Sequence, residues 1–382
     1  MKKDLLPLAL GGLGIGTTEF VIMGLLPDIA KDFNISIPVA GHLISAYALG
    51  VVIGAPLVVV FTNRYTPKRI LLVLMAVFTV FNIFSAFAPN NTTLLIARFF
   101  TGLPHGAFFG VGAVVASRLA EKGKQAQAIA VMFGGLAMAN VLAVPLGTFI
   151  GHHYSWRYTF SLVALIGILT MVLIQVWLPA LPVNKTGTVK SEIEFFKRTE
   201  AWLIILITAA GTGGLFAWVS YIAPLMTTVS HFSANTVPYI LIVSGLGMVF
   251  GSVIGGKLAD KMEPVKACML LLFSLTGLLV LVYCFSGNQI LSVSFAFLMG
   301  AFAMSLGAPI SLLMIKTAKN AEMLAASATH AAFNIGNALG AFLGGLPIAA
   351  GFAYNSPALV GALLAVSGTL FAWLLIRRQQ YA

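Results

Sequence analysis

The chain has 382 residues, of which 59% are hydrophobic and only 9% charged. A soluble domain carries nearer ~25% charged residues, so the composition excludes a soluble enzyme or binding module and points into the membrane. The net charge of +11 suggests nucleic acid, but the basic residues lie in the short gaps between apolar runs, which excludes a nucleic-acid footprint.

Twelve runs are long enough to span a bilayer. The first six are Leu5–Leu26, Val39–Phe61, Ile70–Ala88, Thr93–Ala116, Gln125–Ile150 and Tyr158–Leu178. The second six are Ala201–Met226, Thr236–Lys257, Val265–Phe285, Gln289–Ile315, Ala325–Ala350 and Ser356–Ile376. A helix crossing the ~30 Å hydrocarbon layer needs about 20 residues. Lipid offers no partner to a free backbone group, so the runs are predicted to be helices. The first run is too long for a removable signal peptide and lacks a small-residue cleavage site, so it is expected to stay as a span.

Counting the N-terminus as cytoplasmic puts 19 of the 22 basic residues on the cytoplasmic side. Lys31 and Arg157 fall outside, and Arg98 falls in the membrane. That asymmetry is the positive-inside pattern. It predicts a multi-pass membrane protein with both termini cytoplasmic. Cys268 and Cys284 lie on one predicted helix, about 24 Å apart along its axis, too far for a disulfide.

The sequence repeats itself at an offset of 197. Gly14 meets Gly211, Pro27 meets Pro224, Gly50 and Gly54 meet Gly247 and Gly251, and Pro67 meets Pro264. Gly110 meets Gly307, Asn140 meets Asn337, and Gly147 meets Gly344. The expectation is an all-α membrane protein of two six-helix halves in the same orientation. The halves are 1–178 and 201–382, joined by a polar cytoplasmic linker at 179–200. Parallel halves related about the membrane normal are one transporter architecture, with the site between them near mid-membrane.

Glu19 and Arg98 are the charges set deep in apolar runs. Such groups are costly in hydrocarbon and mark pathways. Glu19 lies about 12 Å and Arg98 about 8 Å below the outer helix ends, so the two can pair directly or through water. Burial and a neighbouring guanidinium pull a carboxyl's proton affinity in opposite ways, which would let Glu19 gain and lose a proton near neutral pH. At the offset of 197 their mates are Phe216 and Phe295, so ion chemistry is expected in the N-terminal half alone. The C-terminal half is then expected to offer aromatic and amide contacts.

Phe20, Tyr47, His105, Phe108, Phe109, Asn140, Trp218, Tyr221, His330, Phe333, Asn334 and Asn337 are the substrate-cavity candidates. Intramembrane Asn commonly bonds a neighbouring helix, and a lone His, such as His42, is commonly a packing residue. No metal-ligand spacing is present. The run Gly251–Lys257 imitates a phosphate loop. However, Leu258 stands where Ser or Thr would hold Mg²⁺, and no strand precedes the run. No nucleotide or other cofactor is expected.

The second helix 2–3 type loop reads Gly256-Lys-Leu-Ala-Asp260-Lys261, and the first reads Asn63-Arg64-Tyr-Thr-Pro-Lys-Arg69. These resemble the signature gating loop of the major facilitator superfamily, with Asn63 in place of Asp. Arg98-Phe-Phe-Thr-Gly102 is similar to that family's Arg-x-x-x-Gly segment, and Pro145, Gly147 and Gly151 resemble its antiporter helix-packing motif. Gly16-Thr-Thr-Glu19-Phe20, Gly24-Leu-Leu-Pro27, Tyr47-Ala-Leu-Gly50 and Phe333-Asn-Ile-Gly336-Asn-Ala-Leu-Gly340 are similar to the arabinose-efflux and chloramphenicol-resistance branch of the twelve-helix drug:proton antiporters. The resemblance implies a monomeric exporter in a bacterial plasma (inner) membrane, moving a drug-like amphipathic compound or a sugar, driven by protons through alternating access, with Glu19 and Arg98 as the proton-coupling pair. An importer of the same fold and a non-transporting receptor or scaffold are the alternatives.

Overall fold

The computed structural model describes residues 3–62, 65–121, 125–183, 197–318 and 322–381. Among the described residues, twelve long helical elements follow one another. They are α1 (Leu6–Phe33), α2 (Ile37–Thr62), α3 (Pro67–Ala86), α4 (Asn91–Leu119), α5 (starting at Gln125–Met138) and α6 (Trp156–Trp177). The second half holds α7 (Thr199–Val219), α8 (Val237–Lys261), α9 (Pro264–Phe285), α10 (Gln289–Ser305, continued by Gly307–Ala318), α11 (Glu322–Ala349) and α12 (Ser356–Tyr381). The architecture is two six-helix halves.

Among the described residues, eleven stretches are long and apolar enough to cross a membrane, one fewer than the sequence suggests. The difference lies in the 50-residue stretch Ala128–Trp177. At 1.5 Å per residue it would measure about 75 Å, far beyond one bilayer. Ser155 divides it: its backbone is extended (φ −165°, ψ 138°) and its side chain accepts from the Arg157 N–H. The stretch is therefore two crossings, α5 and α6, and the total is twelve.

Local signals fix the helix ends. Pro67 and Pro264 open α3 and α9, where a missing N–H costs no hydrogen bond. Asn90 opens α4 with a reciprocal cap to Thr93, and the Asn288 side chain opens α10. Asn34 closes α1 in the left-handed region, at φ 53°. Within α5, a π turn at Ala139–Ala143 comes just before Pro145. The proline ring would collide with the carbonyl four residues earlier and offers no N–H, and the wider turn absorbs that conflict.

The close crossings correct the repeat. An added Cβ on Gly50 would strike the Phe99 carbonyl, and one on Gly247 the Phe297 carbonyl. Gly54 and Gly251 lie in the same way against the Leu103 and Ala301 carbonyls, and Gly102 and Gly300 against those of Tyr47 and Ser244. The offset is thus 197 for α2 and α8 but 198 for α4 and α10, as the caps Asn90 and Asn288 also require. One extra residue therefore lies between Pro264 and Asn288, where α9 has 22 residues against 20 in α3. The mate of Arg98 is therefore Ala296 rather than Phe295. The charge asymmetry between the halves remains.

Among the described residues, the halves meet mostly at the end of the bundle opposite the termini. There Ser45 Oγ of α2 donates to the Ala338 carbonyl of α11 at 3.1 Å. The Tyr221 hydroxyl, just past α7, donates to the Ala341 carbonyl at 2.7 Å. It lies between Gly41 of α2 and Gly345 of α11, where any side chain would strike it. Nearer the middle, Gly245 of α8 rests on the Asn140 carbonyl of the π turn. One apolar cluster joins Val21–Ala30 and Leu43–Ile44 to Trp218–Met226 across this end.

Candidate functional site

Arg98 of α4 is fully buried, with 0% exposure, and Glu19 of α1 is 5% exposed. They do not pair. Arg98 Nη1 donates instead to the Thr18 carbonyl at 2.8 Å and to Thr18 Oγ1 at 3.1 Å. Thr18 Oγ1 in turn donates to Asn82 Oδ1 of α3 at 2.8 Å. The guanidinium lies over the Tyr47 ring, 4.4 Å from its centroid, and 5.8 Å from the Phe160 centroid. A cation over an aromatic face is stabilised by the ring quadrupole, more so when desolvated. Arg98 thus ties α1, α2, α3 and α6 together, while its Nε and Nη2 have no hydrogen-bond partner.

Glu19 finds His105 instead. His105 Nδ1 is 3.8 Å from Glu19 Oε2 and 3.0 Å from the Tyr47 hydroxyl. His105 is 3% exposed. The spacing explains the contact: Arg98 and His105 are seven residues apart on α4, two turns along one face, and Tyr47 bridges them. A carboxylate, an imidazole, a phenol and a guanidinium thus share one buried cluster, and all four belong to the N-terminal half.

His330 of α11 reaches this cluster from the other half. Its ring centroid is 6.1 Å from that of His105 and 5.4 Å from that of Phe109, with the latter planes 12° apart. Phe133 of α5 completes the group, 5.2 Å from Phe109 and 6.0 Å from His330, the latter pair only 2° from parallel. Phe133 and Asn82 had no distinguishing signal in the sequence beyond an aromatic or amide residue in an apolar run.

The remaining candidates disperse. Phe108 is buried in the N-terminal core, and a Cβ on Gly11 would strike its ring. Phe20 and Phe333 are half-buried against the core that joins the halves. Asn140 Nδ2 donates to the Leu136 carbonyl at 3.1 Å, and Asn334 Nδ2 to the His330 carbonyl at 3.1 Å. Asn334 Oδ1 and both side-chain polar atoms of Asn337 are buried without a partner, as is Trp218 Nε1. Tyr221 sits in the seal at the far end rather than beside the ionisable cluster. His42 is exposed, with its ring 5.9 Å from that of Phe342.

Of the gating-loop candidates, Asn63 and Arg64 lie outside the described residues. The Arg69 guanidinium is 5.2 Å from the Tyr65 ring centroid. Gly256 has open space where a Cβ would stand. Asp260 and Lys261 are exposed at the end of α8. In the following turn, Lys266 bonds Glu263 at 2.8 Å and holds its carboxyl below the usual range. Pro145, Gly147 and Gly151 are buried on α5. Gly147 lies against Val21 of α1 and Thr159 of α6, and Thr159 Oγ1 donates to its carbonyl at 2.7 Å. Among the described residues no group of three or more His, Cys, Asp or Glu could hold a metal ion.

Asp28 and Asp32 lie on the last turns of α1, away from the cluster. Asp28 Oδ1 is 3.1 Å from His152 Nδ1. Asp32 accepts from Trp156 Nε1 at 3.1 Å and pairs with Arg157. These contacts fasten α1 to the α5–α6 turn.

Twelve apolar crossings in two halves, with an ionisable cluster buried beside their junction, define a class of protein: a polytopic membrane transporter. The sequence pattern of the Major Facilitator Superfamily matches residues 8–329 and 219–381. The putative transporter AraJ of Escherichia coli K12 is 40% identical over 384 residues, covering 100% of this chain and 98% of that protein. The inner membrane transport protein YdhP of the same strain is 38% identical over 381 residues, covering 99% and 97%. A bacterial homologue of the human lysosomal transporter Spinster, solved inward-facing and unoccupied, superposes with a TM-score of 0.78 over 98% of this chain and 96% of that one. At 15% identity that is a likeness of fold. The chain belongs to the major facilitator superfamily. It is a membrane-embedded transporter and not an enzyme.

Proposed function

We propose that this transporter exports a small molecule in exchange for protons, by alternating access between its two halves. The observation that carries the reading is the buried cluster of Glu19, His105, Tyr47 and Arg98. A carboxylate 5% exposed is costly in hydrocarbon unless it has a task. Arg98 is committed to Thr18, so Glu19 is not locked in a permanent ion pair and is free to take up and release a proton. Arg98 supplies a fixed positive field beside it.

In this reading the two halves are residues 1–178 and 201–382, with 179–200 as a cytoplasmic linker. Residues 184–196 of that linker lie outside the described residues. The protein sits in a bacterial inner membrane with both termini cytoplasmic. The sealed end is then the outer side, and the ring group formed by Phe109, Phe133 and His330 lies on the cytoplasmic side of the middle. Asn63, Arg64, Arg69, Gly256, Asp260 and Lys261 border the cytoplasmic gate. Its partners are the lipid bilayer, protons and a small substrate, and it acts as a monomer without nucleic acid.

The test is a panel of drugs and sugars in a strain stripped of its own efflux pumps, repeated with Glu19→Gln. Glutamine keeps size and hydrogen bonding but cannot release a proton. Resistance or efflux is expected with the native chain and a loss of at least tenfold with the variant, while substrate binding survives and loses its pH dependence. In inverted vesicles, uptake that discharges an imposed proton gradient selects export over import. Full gradient-driven flux in a well-folded Glu19→Gln protein would move the carrier elsewhere.

A further inference from the structure

Three aromatic rings converge where the halves meet beneath Glu19 and His105. Phe109 comes from α4, Phe133 from α5 and His330 from α11, and the three planes lie within 12° of one another. Phe109 is buried, but Phe133 and His330 are each half-buried. The spacing makes them an offset stack contributed by both halves, in which Phe133 and His330 each lie against buried Phe109.

Rising from this stack, α11 carries hydrogen-bonding atoms with no partner. From His330 along α11, Asn334 lies four residues on and Asn337 seven. At 100° and 1.5 Å per residue, both fall within about 40° of the His330 direction, at about 6 and 10 Å above the rings. They are 3% and 0% exposed. Asn334 Oδ1 and both polar atoms of Asn337 are unsatisfied. Buried polar atoms are nearly always bonded to protein or solvent, and each exception needs an explanation. On α4, which runs the opposite way, His105 lies one turn above Phe109 and faces the same level. A helix seam joins the level above it, where Ser45 bonds the Ala338 carbonyl.

We propose that the partly exposed Phe133 and His330 rings of this stack and the unpartnered amides of Asn334 and Asn337 form a binding site for a flat aromatic molecule carrying a hydrogen-bonding group on its edge. The rings stack against the ligand's face. Asn337 offers both a donor and an acceptor to its edge, and Asn334 offers an acceptor. Both halves contribute, so ligand on the rings bridges the parts that move in transport. This assignment rests on the transporter reading above and names its substrate class.

The test uses the full chain in lipid nanodiscs, with 2-naphthamide and its fully saturated decahydro analogue as probes, both measured by equilibrium dialysis. The two share the amide and differ in planarity and aromaticity. The native chain is expected to prefer the aromatic probe by about fivefold. Phe133→Leu is expected to remove that preference while changing the saturated probe's affinity less than twofold. His330→Phe keeps a ring in the same plane and is expected to keep the preference. Asn337→Ala is expected to weaken both probes together. Equal binding of the two probes to the native chain, binding of neither, or a preference that survives Phe133→Leu in a folded protein would overturn the proposal. Binding here needs no gradient and no flux. A chain that keeps the ring preference yet transports nothing would sink the transport reading and leave the site intact.

Discussion

Arg98 is the residue where the structure adds most to the sequence. Its charge is buried at 0% exposure, yet its hydrogen bonds go to the Thr18 backbone and hydroxyl, not to the carboxylate one residue away. Its flat face is used separately, over Tyr47. Lysine keeps the charge but lacks the planar group and its fixed fork. Arg98→Lys should therefore lower stability by about 1–3 kcal/mol through weakened charge-assisted bonds and cut flux about tenfold, and Arg98→Met should abolish flux. Thermal unfolding and vesicle flux measure the two effects, and a lysine variant equal to the native chain in both would show that only the charge matters. The depth of Glu19 and Arg98 was legible from their distance to the helix ends. Their lack of a direct pair was not, because pairing depends on how each helix is rotated about its axis, and apolar runs that are buried nearly all round do not record that rotation. The same blindness hid Phe133.

The elements themselves were plain in the sequence, because lipid demands runs of fixed length and the gap between Ile150 and Tyr158 marked the turn that the continuous helix conceals. What escaped was the π turn before Pro145 and the single extra residue before α10. A one-residue shift leaves a composition match such as Gly110 with Gly307 in place, and only the pairing of glycines with facing carbonyls reveals it. That pairing separates two kinds of glycine. At Gly50 and Gly247 a methyl group would strike a backbone carbonyl that cannot swing aside. Gly50→Ala and Gly247→Ala should each destabilise by about 1–3 kcal/mol, as overpacking does. Gly256 has no neighbour within 4 Å of an added Cβ, and Gly256→Ala should be neutral or stabilise by up to about 1 kcal/mol. Thermal unfolding in one detergent compares all three, and a cost at Gly256 as large as at Gly50 would refute the distinction.

At the scale of the molecule, the halves are joined at one end by buried groups and toward the other by three rings. Tyr221 is central to the first junction. Its hydroxyl is 1% exposed with the rest of the side chain, donates to Ala341 and fills the space left by Gly41 and Gly345. Tyr221→Phe removes one buried hydrogen bond, worth about 1 kcal/mol, and leaves the ring in place. In a Ser45→Cys background, the far-side reactivity of that cysteine with a membrane-impermeant maleimide should rise about fivefold when Tyr221→Phe is added. No change would mean the seal rests on packing alone.

The contact of Gly245 on the Asn140 carbonyl has a mechanical consequence. It lies near the middle of α5, and the π turn there pushes a carbonyl outward to meet a glycine with no side chain to keep it away. Two rods touching closely near mid-membrane act as levers on a fulcrum. With arms of about 15 Å, half the hydrocarbon thickness, a tilt of about 15° swings each end by about 4 Å, roughly the thickness of one aromatic ring. Prising apart the Tyr221 end would drive the opposite arms inward by the same distance, so a molecule one ring thick matches the stroke.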